Sequence, residues 1–282
     1  MPVTVQQALG VAAELCSVSD SWCLDAELLL AHALQKPREY LYTWPQHEIP
    51  GQVLQDYQDS VSRRSKGEPL AYILGSKQFW DFELAVNPSV LIPRPETELL
   101  VEQCLHLTGQ RSLDSLRVAD LGTGSGAIAI ALARTHAHWQ IDAVDISDAA
   151  LQVATVNAER LGVANIKFRK GSWCQGLESH AYDLIVANPP YVASGDAHLQ
   201  RDGLQFEPAM ALVAPQQGLG DLLQIIRQSC GHLKKGSWLL LEHGHDQQLE
   251  LLEELVAVGF TDAASHTDLA GLPRVISAQW MN

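Results

Sequence analysis

The sequence predicts an α/β protein in two parts, a small helical domain followed by a larger domain with a mostly parallel β-sheet. From Leu116 onward strand-like and helix-like segments alternate, which is typical of a parallel sheet covered by helices. Between residues 4 and about 66, apolar residues recur at helical spacing. A glycine-rich turn joins the first strand of the alternating region to its first helix. A chain of 282 residues is long enough for both parts, because single cores rarely grow beyond roughly 250–300 residues.

The composition is that of an ordinary folded protein, with 46% hydrophobic and 18% charged residues. The formal net charge of -14 works against long-range attraction to nucleic acid, so no direct nucleic-acid binding is expected. A local basic cluster at Arg63, Arg64 and Lys66 is either a patch for an acidic partner or a solvated helix end.

The cysteines indicate a reducing compartment. There are five, an odd count without any Cys-x-x-Cys pair, so we expect free thiols and no metal site. The N-terminal residues carry no basic leader, and no stretch reaches the ~18 apolar residues of a membrane span. We expect a cytoplasmic monomer without membrane contact.

Three regions are predicted along the chain. Residues 1–68 form the helical domain, residues 69–89 a β-hairpin linker, and residues 90–282 the α/β domain. The linker is predicted from two strand-like runs in LAYILGSKQFWDFELAV, with Gly75-Ser76 between them.

The α/β domain is expected to contain a seven-stranded sheet. Helices are predicted over residues 126–135, 148–161, 219–233 and 247–258. The strand-like segments are LRVADL (116–121), QIDAVDI (140–146), IKFRKG (166–171), YDLIVA (182–187), SWLLLEHG (237–244) and RVISAQW (274–280).

The glycine-rich turn predicts a nucleoside site at the carboxyl end of a strand. Gly122, Gly124 and Gly126 allow close approach of the backbone to a ligand. The same residues also fit a dinucleotide pattern, so the glycines alone do not separate NAD from S-adenosylmethionine.

Three side chains refine this interpretation. Asp145 ends the next strand, where its carboxylate can accept hydrogen bonds from both ribose hydroxyls, which argues against NADP. Asp120 either faces the cationic end of S-adenosylmethionine or is a buried capping residue. Trp173 is expected to cover the adenine face, although a tryptophan in a loop is as often simple packing.

The tetrapeptide Asn188-Pro189-Pro190-Tyr191 follows an apolar strand and should face the glycine turn. A conjugated amino group is a poor nucleophile, because its lone pair is delocalised. The Asn188 side-chain oxygen and the Pro189 carbonyl can each accept one hydrogen of an NH2 group and so direct its lone pair. Tyr191 offers a flat face for a planar amide or base, and Pro190 helps to set the path of the loop. The pattern predicts methylation of a planar amino group without a general base.

With these residues in hand, the sequence resembles the release factor glutamine methyltransferase family, also called PrmC or HemK, over essentially its full length. The matching motifs are IPRPETE (92–98), DLGTGSGAIAIALA (120–133), AVDIS (143–147), NPPY (188–191) and EPAMAL (207–212). The resemblance implies a Rossmann-like, seven-stranded S-adenosylmethionine-dependent methyltransferase fold. It implies a Gly-Gly-Gln loop of a class I peptide chain release factor as substrate, methylated on the glutamine amide nitrogen with release of S-adenosyl-L-homocysteine.

The resemblance also implies roles for individual residues. Asn188, Pro189 and Tyr191 would be catalytic, and these three would bind the glutamine together with Pro190. The implied cofactor-binding residues are Gly122, Thr123, Gly124, Ser125, Gly126, Asp145, Trp173 and Asn188.

Other functions stay open at this point. NPPY also occurs in adenine amino methyltransferases that act on DNA or RNA, and a sister activity methylates a ribosomal protein glutamine. The sequence carries neither a large basic face nor a target-recognition domain for nucleic acid. A non-catalytic nucleoside-binding module would be expected to lose the Asn or Pro of NPPY, which are both present.

Overall fold

The computed structural model of the protein describes residues 2–109, 114–200 and 203–282. These residues fall into two compact units. The first consists of residues 1–76 with 200–206, and the second of residues 77–199 with 207–282. The predicted division into a recognition domain, a linker and a catalytic domain stays a prediction.

The first unit is helical, as expected. Its elements are β1 (Val3–Thr4), α1 (Val5–Val11), α2 (Trp22–Leu34), α3 (Glu39–Thr43), β2 (Glu48–Ile49), α4 (Gly51–Ser65) and α5 (Leu70–Leu74), with short 3-10 helices at Ala12–Ser17 and Leu204–Phe206. Helix α1 begins at a capping box, in which Thr4 and Gln7 each accept a hydrogen bond from the other's backbone N–H. Apolar residues at helical spacing, among them Leu15, Leu29 and Leu30, form its core.

The basic cluster of the first unit is largely neutralised within the protein. Arg63 forms an ion pair with Glu68, and Arg64 lies 2.8 Å from the buried carboxylate of Asp25. Both arginines therefore bind carboxylates of the first unit itself. This favours a structural role for the basic cluster over a binding patch for an acidic partner.

A β-hairpin follows the helical unit, but the prediction of its first strand was wrong. Residues Leu70–Leu74 form helix α5, which ends at Gly75 in the left-handed conformation (φ 73°). The hairpin consists of β3 (Ser76–Phe79) and β4 (Phe82–Ala85). The run LAYIL is apolar on all sides, and such a short run does not distinguish strand from helix. The glycine is a helix C-terminal signal.

The second unit contains the sheet. Its further helices are α6 (Glu96–Thr108), α7 (Ala127–Thr135), α8 (Asp148–Arg160), α9 (Gly220–Ser229) and α10 (Gln248–Val258), and 3-10 turns lie at Ala197–Gln200 and Ala209–Ala211. Its further strands are β5 (Arg117–Leu121), β6 (Gln140–Asp145), β7 (Ile166–Lys170), β8 (Tyr182–Ala187), β9 (Val192–Ala193), β10 (Val213–Ala214), β11 (Leu233–Glu242), β12 (Phe260–Thr267) and β13 (Pro273–Trp280).

Seven of these strands form one sheet in the order β12-β13-β11-β8-β5-β6-β7. Strand β13 runs antiparallel to both of its neighbours, whereas β11, β8, β5, β6 and β7 are parallel. The expected seven-stranded, mostly parallel sheet is therefore confirmed. The strand order reverses at β5, since β6 lies on one side of it and β8 on the other, and ligands bind at such a switch point.

Helices cover both faces of the sheet, and β8 illustrates why. All six of its residues are buried, which is typical of a central parallel strand. Alternate side chains enter different cores: Leu184 and Val186 pack with α6 and α7, whereas Ile185 and Ala187 pack with α9 and α10.

The structure describes no helix that is both long and apolar enough to cross a membrane within the ranges given above.

Candidate active site

A cavity of about 320 Å³ opens at the carboxyl edge of the parallel strands in the second unit. The loops after β5, β6, β7 and β8 line it, together with residues before α6, Thr97 in the first turn of α6, and residues of α7, α8 and α9. Its volume lies at the lower end of the range for small-molecule sites. Among the predicted site residues, those that line it are Gly122, Thr123, Gly124, Ser125, Asp145, Trp173, Asn188 and Pro190.

The glycine turn is held by backbone hydrogen bonds to the neighbouring strand. The amides of Gly122 and Thr123 both donate to the Val144 carbonyl, at 2.8 and 2.9 Å. Gly122 has φ 73°, and a Cβ there would lie 3.3 Å from the Trp173 ring. The Ser125 carbonyl accepts a hydrogen bond from the buried Asn157 side chain at 2.9 Å. The turn is thus fixed by the fold itself.

Gly126 has a different role from the other glycines of the turn. It does not line the cavity but precedes α7 with φ 86°, and a Cβ there would lie 3.0 Å from Ile130 and 3.3 Å from Ala154. This glycine therefore permits close packing of α7 and α8. Its predicted direct contact with the cofactor stays a prediction.

Asp120 is a buried capping residue in this structure. Its Oδ2 accepts hydrogen bonds from the Thr123 hydroxyl at 2.7 Å and from the Ala129 amide at 3.2 Å, in the first turn of α7. Asp120 does not line the cavity. Burial raises the pKa of this carboxyl to about 7, although both donated bonds act in the opposite direction. Of the two interpretations of Asp120, the geometry favours the structural one.

Asp145 lies at the end of β6 and presents its carboxylate to the cavity. One oxygen accepts a hydrogen bond from the Gly124 amide and the other from the Ser147 amide, both at 2.9 Å. Each carboxylate oxygen has a second lone pair, so both can still accept a ribose hydroxyl. The backbone bonds fix the orientation of the carboxylate.

Trp173 lines the cavity beside the glycine turn, from a backbone with φ 49°. Its indole N–H donates to Asp221 in α9, and burial raises the pKa of Asp221 against the effect of that bond. Sequence reasoning had not found Asp221. It faces the cavity from the first turn of α9. The sequence predicts this helix over residues 219–233, whereas the structure ends it at Ser229 and begins β11 at Leu233.

Asn188 lies in the cavity wall after β8, and its side chain belongs to a hydrogen-bonded network with Thr97, Glu242 and Tyr191. The Asn188 NH2 group donates to the Thr97 hydroxyl at 3.1 Å, and that hydroxyl donates to Glu242 at 2.7 Å. The Tyr191 hydroxyl donates to the other oxygen of Glu242 at 3.2 Å. We call these four residues the orienting network.

The acidic member of the orienting network is fully buried. Burial raises the pKa of Glu242 to about 7, and the bonds from Thr97 and Tyr191 lower it. Burial also raises the pKa of Tyr191, so this hydroxyl stays protonated. The sequence had predicted neither Thr97 nor Glu242 as a site residue. Glu242 ends an apolar strand at the carboxyl edge, which is the same signal that pointed to Asp145.

The backbone of the NPPY loop is also held in place. The Gln247 side chain donates to the Tyr191 carbonyl at 3.0 Å. Gly218 (φ 91°) packs so closely against it that a Cβ would lie 2.2 Å from this oxygen. Neither Pro189 nor Tyr191 lines the cavity described above. Their roles in catalysis and substrate binding stay predictions.

An ion pair between a partly exposed arginine and a buried glutamate connects two of the sequence motifs. Arg94 of IPRPETE pairs with Glu207 of EPAMAL, and the other oxygen of Glu207 accepts a hydrogen bond from the Ile92 amide at 3.0 Å. Pro208 and Met210, which follow Glu207, line the cavity with Pro93. The ion pair therefore holds two walls of the cavity together.

These residues fit S-adenosylmethionine. The glycine turn provides a surface without side chains beside Trp173, and the carboxylate of Asp145 is an acceptor for paired hydroxyls. In residues 2–109, 114–200 and 203–282, no group of three or more His, Cys, Asp or Glu side chains is arranged to hold a metal ion.

Comparison with known proteins identifies the two parts of the chain. Residues 7–75 match the family model of the PrmC N-terminal domain, and residues 95–210 match that of the methyltransferase small domain. Release factor glutamine methyltransferase of Coxiella burnetii is 45% identical over 96% of both chains. The protein of the same name from Pseudomonas aeruginosa is 45% identical over 93% of this chain and 94% of its own. The N-terminal domain of human METTL16 in complex with SAH superposes with a TM-score of 0.54 at 16% identity, over 90% of this chain and 94% of that one.

The sheet order and the cavity at its carboxyl edge define the class of S-adenosylmethionine-dependent methyltransferases. Within that class, the full-length similarity to curated relatives is decisive. The chain belongs to the release factor glutamine methyltransferase family.

Proposed function

We propose that this protein transfers a methyl group from S-adenosylmethionine to the side-chain amide nitrogen of the glutamine in the Gly-Gly-Gln loop of class I release factors. The observation that carries the proposal is the orientation of Asn188 in the cavity wall. Because its NH2 group is bonded to Thr97, its carbonyl oxygen is the atom left to accept a hydrogen bond from a substrate. The names of the relatives provide the substrate.

The residues of the chain act by binding and orientation. Asp145 and the turn from Gly122 to Gly126 would hold the nucleoside, and Trp173 would cover its base. S-adenosylmethionine, when bound, supplies an electrophilic methyl group. Asn188 accepts one N–H of the glutamine amide, which turns the nitrogen lone pair out of conjugation and stabilises positive charge as it develops. We propose that the Pro189 carbonyl accepts the other N–H.

The reaction needs no general base under this proposal. Alignment of the two reactants can remove about 7–11 kcal/mol of the barrier, and the extra proton on the amide leaves to water after transfer. The products are the N-methylated glutamine and S-adenosyl-L-homocysteine. We further propose that the enzyme is a monomer and that it acts in the cytoplasm, a compartment that keeps its five free cysteines reduced.

A methyl-labelling assay tests the substrate. Enzyme and cofactor labelled in the methyl group are incubated separately with release factor, ribosomal proteins and DNA. We expect label on release factor alone, and replacement of the Gly-Gly-Gln glutamine by asparagine should abolish it. Label on DNA, or on a ribosomal protein in preference to release factor, would contradict the assignment. The Asn188 carbonyl oxygen would then accept a hydrogen bond from a different substrate amino group.

The helical unit is proposed to bind the release factor away from the reacting glutamine. It exposes two aromatic side chains, Tyr42 (61% exposed) and Trp44 (56% exposed). The Tyr42 hydroxyl donates to Glu27 at 2.5 Å, and Arg38 lies 6.0 Å from its ring centre. Aromatic side chains are enriched at protein interfaces.

Replacing both aromatics by alanine should raise KM for intact release factor about tenfold and leave kcat unchanged, because such contacts act equally on ground state and transition state. A short Gly-Gly-Gln peptide is the control, since it lacks the rest of the release factor. Its kcat/KM should be the same for both enzymes. An equal loss with the peptide would show that Tyr42 and Trp44 support the fold and not the partner.

A further inference from the structure

We propose that Thr97 and Glu242 are positioning residues, which hold the Asn188 amide with its carbonyl oxygen free for the substrate and its NH2 group turned away. This inference rests on the proposed function and adds two residues to it. Thr97 lies in the first turn of α6 and Glu242 at the end of β11, so the network joins three separate elements of the second unit.

The direction of the hydrogen bonds follows from their chemistry. A threonine hydroxyl has one hydrogen, and the ionised carboxylate of Glu242 can only accept. The Thr97 hydrogen must therefore point to Glu242, and the Thr97 oxygen must accept from Asn188. Only the NH2 group of Asn188 can donate that bond. The carboxylate thus determines, through Thr97, which end of the Asn188 amide faces the cavity.

The same carboxylate also holds Tyr191, the last residue of the NPPY tetrapeptide. Its other oxygen accepts the hydrogen bond from the Tyr191 hydroxyl. Glu242 therefore fixes both ends of the NPPY tetrapeptide from a buried position behind the cavity, which it does not line. It is a positioning residue and not a catalytic one.

Protonation of Glu242 reverses the chain of hydrogen bonds. A protonated carboxyl can donate to Thr97, the Thr97 hydrogen then turns toward Asn188, and the Asn188 carbonyl must turn away from the substrate to accept it. The charged and titratable groups that face Glu242 are Tyr191, Glu96 of α6, which raises its pKa, and Arg274 of β13, which lowers it. Burial raises this pKa to about 7, so the reversal is expected on acidification below neutral pH.

Two substitutions separate positioning from simple packing. In Glu242→Gln the amide oxygen can still accept the hydrogen bond from Thr97, but the negative charge is lost, so kcat should fall about tenfold. Because the amide does not titrate, kcat should become independent of pH between about 6 and 8. The unmodified enzyme should lose kcat about tenfold for each pH unit below 7. Equal pH dependence in the two enzymes would overturn the proposal.

Thr97→Val removes the link, and kcat should fall about 30-fold with the Kd for S-adenosylmethionine unchanged, because the reacting amide is misaligned. Thr97→Ser retains the hydroxyl and should recover most of this loss. The matched control is Thr108→Val in the same helix, where a buried hydroxyl donates to the Cys104 carbonyl at 2.6 Å. The control should keep the kcat of the unmodified enzyme. A similar kcat loss in Thr97→Val and Thr108→Val, or a parallel loss of cofactor affinity in Thr97→Val, would refute the role in positioning.

A readout without substrate keeps this inference separate from the proposed function. The Asn188 side-chain NH2 resonances should show a hydrogen-bonded environment above pH 7 and shift on acidification, and Glu242→Gln should abolish the shift. If the enzyme failed to methylate release factor while this shift was present, the proposed substrate would be wrong and the network would stand. If the Asn188 resonances change neither with pH nor in Glu242→Gln, the proposed positioning of Asn188 by the orienting network is refuted. Should Thr97→Val fail to fold, Glu242→Gln still tests the proposal through the pH dependence of kcat and the Asn188 resonances.

Discussion

Asn188→Ala should lower kcat by about two to three orders of magnitude while the Kd for S-adenosylmethionine changes less than about threefold. The carbonyl oxygen of Asn188 acts on the attacking nitrogen, where charge develops in the transition state. Single-turnover methylation of release factor and calorimetric binding of the cofactor measure the two quantities.

Asn165→Ala is the matched control for this substitution. The Asn165 side chain donates to three backbone carbonyls outside the cavity, those of Ala133, His136 and Trp139. It should therefore lower stability and leave kcat near that of the unmodified enzyme. Equal losses of kcat and cofactor affinity in Asn188→Ala would show that Asn188 is mainly a cofactor ligand.

Gly122→Ala should weaken binding of S-adenosylmethionine about 30-fold or more. The added Cβ would lie 3.3 Å from the Trp173 ring in a backbone with φ 73°, so that either the ring or the turn must move. A loss of about 2 kcal/mol corresponds to this change in affinity. Calorimetric titration of the cofactor measures it directly.

Gly162→Ala tests whether backbone strain alone explains such a loss. Gly162 follows α8 with φ 67°, and no atom lies within 4 Å of an added Cβ. Both substitutions carry the left-handed penalty of roughly 1–2 kcal/mol, but only Gly122 faces the cofactor cavity. Equal cofactor affinity in the two variants would contradict the proposal that the surface without side chains at Gly122, beside Trp173, is needed to bind the cofactor.

The cofactor half of the site was predictable because its signals are local. A parallel strand ends in a known direction, so the glycine turn, Asp145 and NPPY could be placed at one edge from hydrophobic patterns alone. The structure brings Gly122, Asp145, Trp173 and Asn188 around one cavity.

The orienting network was not predictable in the same way. Thr97, Asn188 and Glu242 are brought together by bonds that span 91 and 145 positions of the chain. Side-chain types alone do not show which of several buried hydroxyls and acids will meet. Thr97 and Asn188 lie in two of the sequence motifs, but these motifs indicate importance without indicating geometry, and Glu242 lies outside them.

Two further elements show where hydrophobic patterns fail. The segment LAYIL carries no period that separates strand from helix, and the structure makes it α5. Strand β12 was not predicted, because FTDAASHT is polar and half of its residues are exposed, with only Phe260 fully buried. An edge strand gains its structure from pairing with β13 and not from its own hydrophobic pattern.

The place of β13 between β11 and β12 has a consequence for folding during synthesis. The ribosome synthesises β12 before β13, so β12 is at first unpaired, because β13 is the strand that pairs with it in the folded sheet. An unpaired, apolar strand would invite association with other nascent chains. The polar residues of β12, such as Asp262 and His266, make it a poor template for such contacts. The polarity that makes β12 hard to predict from sequence therefore lowers the risk of aggregation until β13 pairs with it.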